Sequence, residues 1–323
     1  MKAVVAFVLV ALSSLSAQAQ SWPTQTVRLV VPFSAGGPAD VAARIVADEM
    51  ARQVNQPVIV ENRPGAGGSV GSAYVAKTAP DGHTILFTTN GLILLPWVMA
   101  NMPFDPQADL KPVAVVGTSP YVLTTNNEFP ARTLPEVLAL VRNNPNKFNF
   151  GSAGVGSGMH FAFEYFLATA GDLKMIHVPY RGGGAVAAGL MGGEVHMVTD
   201  PTPSAIPYIA NGSVRPIAIT SRERLPSLPD VPTFAETGVP EFASFEARGW
   251  QMMLLPAGTP APLVAKVHEA INKALASPRV ADRLVAMANP TPRDNSPEAT
   301  ARFLESEIRI WGGVARKAGI KPR

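Results

Sequence analysis

Apolar positions along this 323-residue chain follow two alternating rhythms. Short runs such as "VRLVVPF" (27–33), "PVIVEN" (57–62), "HTILFTT" (83–89), "PVAVVGT" (112–118), "KFNFGS" (147–152), "MIHVPY" (175–180), "VHMVTD" (195–200) and "RPIAIT" (215–220) read as strands. Between many of them the spacing lengthens to that of a helix, as in Ala42, Val46 and Met50, or Phe161 and Tyr165. Strand and helix in alternation predict a largely parallel sheet covered on both faces, which is an α/β class. The last third changes character. Val264, Val267, Ile271 and Leu275 share one helical face, and Ser296-Pro297 opens a final amphipathic helix carrying Phe303, Leu304, Ile308 and Trp311. A helical tail that packs back on an earlier sheet makes one lobe discontinuous. The expected division is residues 20–122 with 252–323 as one lobe and 123–251 as the other, the chain crossing near 121–126 and 247–255.

The chain opens with "MKAVVAFVLVALSSLSAQAQ", which reads as a secretory signal over residues 1–19. Lys2 is the basic head, an apolar stretch follows, and Ala17-Gln18-Ala19 forms an A-x-A cleavage site ending at Ala19. The apolar stretch falls short of the roughly 20 residues that a spanning helix needs. Cysteine is absent, which excludes both a lipidated cysteine at the cleavage site and a disulfide framework. The remainder, roughly 300 residues, is more than one core usually serves, so two lobes are expected. A net charge of +3, spread without a basic block, leaves no footprint for nucleic acid.

Two glycine-rich loops carry the candidate chemistry. In "VPFSAGGPAD", Phe33 ends a strand, Gly36 and Gly37 permit close backbone approach, and Pro38 suits the first turn of a helix. "GSAGVGSGMHF" (151–161) follows the same plan. Bare backbone N–H groups at a helix start favour an anion. In open α/β sheets ligands lie beyond the carboxyl ends of strands, where such loops gather. An anion gripped between two helix starts is therefore the working expectation. Either loop alone reads equally well as a tight turn.

The segments "VPFSAGGPADVAARIVA", "QPVIVENRPGAGGSVGSAYVAKTAPDGHTILF", "GSAGVGSGMH", "HVPYRGGGAVAAGLMGGEVHMVTD", "LPDVPTFAETG" and "LPAGTPAPLVAKV" follow in order over nearly the whole mature chain. Together they resemble the Bug-type (TctC-like) substrate receptors of tripartite tricarboxylate transporters, above all in "ENRPGAGG" and "AGTPAP". The resemblance implies a type II periplasmic binding-protein fold, with two α/β lobes that close on a small carboxylate. It further implies a monomer in the periplasm that delivers ligand to a membrane permease, with no cofactor and no metal.

It also implies which residues face the ligand. The first strand-to-helix loop of each lobe would hold a carboxylate largely through backbone groups and bridging waters. On this chain those loops name Phe33, Ser34, Ala35, Gly36, Gly37 and Asp40, opposed by Ser152, Gly154, Gly156, Ser157 and Gly158. Asp40 also reads as a brace for its own helix start, and His160 as a residue that orients the second loop. Thr88, Thr89 and Asn90, after a strand, offer hydroxyl and amide contacts or a plain polar turn. Asp200 matches an aspartate that faces the cleft in similar receptors; its alternative is a helix N-cap. Tyr180 joins the expected lining, and Trp250 walls the cleft or packs in the core. Arg181 suits a second carboxylate through bidentate pairing, or a surface ion pair.

The rival reading is an exported serine hydrolase, because "GGSVG" places Ser69 in a G-x-S-x-G pattern. That pattern needs the serine on a sharp turn directly after a strand, yet "NRPGAG" intervenes here. His83, His177 and His196 read as ordinary strand residues. A receptor that senses its ligand without a transporter of its own is the other alternative.

Overall fold

The computed structural model describes residues 22–171 and 173–322, so the expected signal segment lies outside the described residues. Among the described residues nine strands form one continuous sheet in the order β2-β1-β3-β9-β4-β7-β5-β6, with β8 also on β4. The first half is built from β1 (Val27–Val31), β2 (Val58–Asn62) and β3 (Thr84–Thr89), all parallel. Two helices connect them, α1 (Pro38–Val54) and α2 (Ser69–Ala76). A short α3 (Gly91–Leu94) leads toward β4 (Leu110–Thr125), the longest strand of the sheet. The second half adds α4 (Leu134–Arg142), β5 (Asn149–Ser152), α5 (Gly158–Thr169), β6 (Ile176–Pro179), α6 (Gly183–Met191), β7 (Met197–Pro201), α7 (Thr202–Ala210) and β8 (Arg215–Ile219). The chain then returns as β9 (Arg248–Pro256) and ends in α8 (Ala261–Ala276), α9 (Pro278–Ala286) and α10 (Pro297–Lys317).

β4 belongs to both halves. Its residues from Leu110 to Pro120 pair antiparallel with β9, and those from Tyr121 to Thr125 pair antiparallel with β7 and β8. The change of partner falls between Pro120, opposite Arg248, and Tyr121, opposite Pro201. Thr220 fastens this junction: its hydroxyl oxygen accepts the Tyr121 N–H at 2.8 Å and donates to the Ala247 carbonyl.

All eight predicted strands are present. The ninth, β9, is absent from the sequence reading because Gly249 and Gln251 interrupt its apolar run, and α9 is likewise additional. Alternate residues of the first half-sheet feed two cores. Leu29, Phe87, Met253 and Leu255 pack under α1, α8 and α9, while Val30, Leu86, Met252 and Leu254 pack under α10. The helical tail therefore does fold back on the first half-sheet. Of the four residues expected on the apolar face of its last helix, Leu304 and Trp311 are buried, and Phe303 and Ile308 pack at the margin.

Trp250 lies in that second core, 2% exposed, with its ring against Phe303. Its N–H donates to Glu307 Oε2 at 3.1 Å, and Trp311 donates to the same oxygen at 3.0 Å. Of the two readings left open for Trp250, the structure shows core packing, because strand alternation turns position 250 to the face shared with Met252 and α10. Arg248 approaches the other Glu307 oxygen at 3.5 Å. Burial raises the Glu307 carboxyl above its usual range, with Arg248 and the two indoles opposing the rise. Glu307→Ala would leave two indole N–H groups without their acceptor, at a cost of about 2–4 kcal/mol. Thermal denaturation should show a clearly lowered Tm for this variant and a smaller loss for Glu307→Gln, which keeps an acceptor. Equal losses in the two variants would contradict the indole-acceptor role.

Candidate functional site

The first glycine loop is held by a carboxylate that spends its acceptors on the protein. Asp40 Oδ2 accepts the Gly36 N–H and Arg44 Nε, each at 2.9 Å. Oδ1 accepts Arg44 Nη2 and Asn62 Nδ2, again at 2.9 Å. Burial alone would raise this carboxyl, but the donors of Arg44, Gly36 and Asn62 outweigh it and hold Asp40 below its usual range. Asn62 also donates to the Phe33 carbonyl at 3.1 Å, fixing the end of β1. Asp40 is therefore a brace whose oxygens are occupied, and the Gly36 N–H faces it rather than a ligand. Ser34, Ala35 and Gly36 are exposed, and no side chain caps α1. Gly36 needs its freedom, with φ at +82°.

In the second loop, Ser152 is fully buried. Its Oγ lies 2.6 Å from His177 Nε2, 3.1 Å from the Gly154 carbonyl and 3.2 Å from the Gly154 N–H. Ser157 caps α5, its hydroxyl accepting the His160 N–H at 3.3 Å, and His160 Nδ1 accepts the Gly156 N–H at 3.4 Å. The expected orienting role of His160 matches this geometry. The serine side chains shape the loop, so what they leave for a ligand is backbone.

Segments of the two half-sheets meet at this loop. A Cβ on Gly158 would collide with the Tyr121 hydroxyl and the Asn90 side chain. Asn90 Nδ2 donates to that hydroxyl at 3.1 Å. A Cβ on Gly156 would come within 2.7 Å of Val98 Cγ2, and one on Gly67 within 3.1 Å of Leu95 and 3.7 Å of the Val155 carbonyl. A Cβ on Gly68 would in turn come within 3.4 Å of the Phe33 ring. Phe33, residues 67–68, residues 90–98 and residues 155–158 thus form one contiguous set.

This arrangement has known relatives. The profile of the tripartite tricarboxylate transporter family receptor matches residues 42–320. The chain belongs to this receptor family. Rpa4515 of R. palustris, solved with adipate, is 32% identical, covers 94% of this chain and 100% of its own, and superposes with a TM-score of 0.87. MatC of Rhodopseudomonas palustris, solved with bound malate, is 33% identical over 91% of this chain and 100% of its own, with a TM-score of 0.84. The periplasmic binding protein BugD is 31% identical over 94% of this chain and 100% of its own, with a TM-score of 0.85. The two-lobed binding-protein fold expected from the sequence is the fold of this receptor. These relatives support the receptor reading and give none to a serine hydrolase. Ser69 is itself buried, at the first turn of α2 behind the turn Ala66–Gly68.

The receptor's remaining candidates separate into three groups. Thr88 and Asn90 are buried at the end of β3, and Thr89 Oγ1 accepts the Gly91 N–H at 3.3 Å, so this stretch is also a braced turn. The Tyr180 hydroxyl donates to Glu194 at 3.0 Å, and its ring covers Gly189, where a Cβ would collide with it. The small residues of α6 leave a seat for that ring, which turns it onto α6 rather than toward the glycine loops. Arg181 is exposed. Two functional neighbours escape the sequence reading. Tyr121 is hidden inside a continuous strand, and His177 reads as an ordinary strand residue although it reaches Ser152. A polar residue within an apolar run was the available signal for both.

Asp200 is the penultimate residue of β7, 2% exposed, and its Oδ1 has no hydrogen-bond partner. The N-cap of α7 is Pro201, without a side-chain cap, so the capping alternative does not apply. Burial pushes the Asp200 carboxyl well above its usual value of 3.8. Its contribution to stability is then fully present below that usual value and is lost as pH rises through the folded-state pKa. Asp200→Asn removes the titration. The ligand-free variant should show a flatter Tm against pH than the parent, with the gain largest above neutrality. Superimposable Tm profiles would contradict a buried, unpaired carboxyl.

Proposed function

We propose that this protein is a periplasmic, non-catalytic receptor that closes two lobes on a small dicarboxylate and presents the closed form to a permease of the tripartite tricarboxylate type. It acts as a monomer. The lobes are residues 20–122 with 252–323, and 123–251, and they hinge where β4 and β9 connect the half-sheets. The observation that carries this reading is the set of contacts that links the two glycine-rich loops: a Cβ on Gly68 would meet the Phe33 ring before α1, one on Gly67 would meet the Val155 carbonyl before α5, and Gly158 of α5 packs on Asn90 and Tyr121. Side chains brace both loops from behind, which leaves backbone amides and the positive ends of two helix dipoles for a carboxylate.

Adipate and malate in the solved relatives are both dicarboxylates, which supports the same class here. One carboxylate lies between the glycine loops; Phe33 lies against the body of the ligand. Asp200, whose burial favours the protonated carboxyl, can offer an O–H donor as well as an acceptor to the far end. A second carboxylate or a hydroxyl suits that pair of capacities. Ligand binding to the closed form shifts the population of lobe arrangements, and that shift is what a permease reads.

Gly37 gives the cleanest test, since its φ of −76° and ψ of 166° suit any residue and a Cβ there would meet only the Ser34 carbonyl at 3.6 Å. Calorimetric titration of the refolded receptor should show binding of adipate, malate or a related dicarboxylate, and no turnover of ester substrates. Gly37→Val should weaken that binding at least about tenfold while the ligand-free Tm moves by no more than about 2 °C. Undiminished affinity in the variant would remove the α1 loop from the site.

A further inference from the structure

The second glycine loop is gripped at both ends by imidazoles that also grip each other. His177 Nε2 meets Ser152 Oγ at the end of β5, and His160 Nδ1 accepts the Gly156 N–H four residues later. The two rings stack at 4.3 Å with planes 19° apart. His177 also stacks on Phe150, its register partner on β5, at 4.8 Å, and Phe150 stacks on Phe163 of α5 at 4.0 Å. Four rings thus clamp the first turns of α5 against β5 and β6, with the loop emerging between them.

We propose that His177 is a positioning residue for the carboxylate loop, acting through Ser152 without touching the ligand. The hydrogen-bond inventory assigns its tautomer. A serine hydroxyl has one proton to donate and two lone pairs to accept with. If His177 donates from Nε2, Ser152 Oγ accepts that bond and the Gly154 N–H, and donates its proton to the Gly154 carbonyl. Every capacity of the hydroxyl is then used, and Gly154 is locked at φ +120°. The Gly154 carbonyl also accepts the Ser157 N–H at 3.1 Å, so the lock extends to the cap of α5. The burial that lowers the His177 pKa to about 4 keeps the ring neutral, as this donor-acceptor pattern and the stack on His160 both favour. His160 faces Glu164 at 3.8 Å on its other side.

This inference rests on the proposed carboxylate site, but the loop's order can be measured without any ligand. His177→Phe keeps a ring for the stack and loses Nε2; His177→Gln loses the ring and keeps a nitrogen donor near the same place. In ligand-free protein, amide hydrogen exchange at Gly154, Gly156 and Ser157 should accelerate at least about tenfold in His177→Phe and about threefold or less in His177→Gln. Dicarboxylate affinity should follow the same order, and His177→Phe added to Ser152→Ala should cause no further loss. Nitrogen NMR of the parent should show the His177 proton on Nε2. Unchanged exchange in His177→Phe, or equal acceleration in both variants, would overturn the positioning role whether or not a ligand binds. If exchange responds as expected and Gly37→Val leaves affinity intact, the carboxylate reading fails and the loop lock stands.

Discussion

One strand that changes partners partway along its length sets the geometry of the whole receptor. β4 pairs with β9 up to Pro120 and with β7 and β8 from Tyr121 onward, so two half-sheets share a single backbone axis. A strand cannot slip by one residue without exchanging its buried and exposed faces. The register of both halves is therefore fixed relative to one junction. The loop after β5 packs on Tyr121 through Gly158, and the loop after β1 reaches it through the contacts of Phe33 with residue 68 and of residue 67 with Val155.

The side chains around those loops follow a common logic. Asp40, Ser152, Ser157 and His160 each turn their polar atoms inward to hold backbone, and they do so from positions already buried or capped. A carboxylate ligand in water is strongly solvated, and a binding site must replace that solvation with donors that are already oriented. Backbone amides fixed from behind meet this need without a cationic side chain in the first loop, where Arg44 is consumed by Asp40. Asp200 differs from the braces. It is a buried carboxyl with an unpartnered oxygen, a cost that folding alone does not explain.

Much of this organisation was legible in the sequence, for physical reasons that also explain the omissions. Strands β1 to β8 announce themselves as short runs of β-forming residues bounded by turn signals. β9 hides because Gly249 and Gln251 serve the junction: Gln251 accepts from Asn289 at 2.9 Å, and a side chain at 249 would press on the Tyr121 phenol. The two glycine loops are visible as composition, but their braces are not. Asp40 finds Asn62 across 22 residues and Ser152 finds His177 across 25, and only the parallel pairing of adjacent strands brings them together. The sequence left Trp250 open between cleft wall and core and did not fix where the Tyr180 ring turns, since the direction of an aromatic side chain depends on strand face and on small residues such as Gly189 beneath it.

The central claim is that one carboxylate is shared by the backbone of both glycine loops. A crystal structure of the receptor with its tightest-binding dicarboxylate tests this most directly. The account predicts one carboxylate group within hydrogen-bonding distance, directly or through a single water, of amides in residues 34–40 and in residues 154–159. A carboxylate held instead by a side chain such as Arg181, with either loop left out of contact, would contradict it.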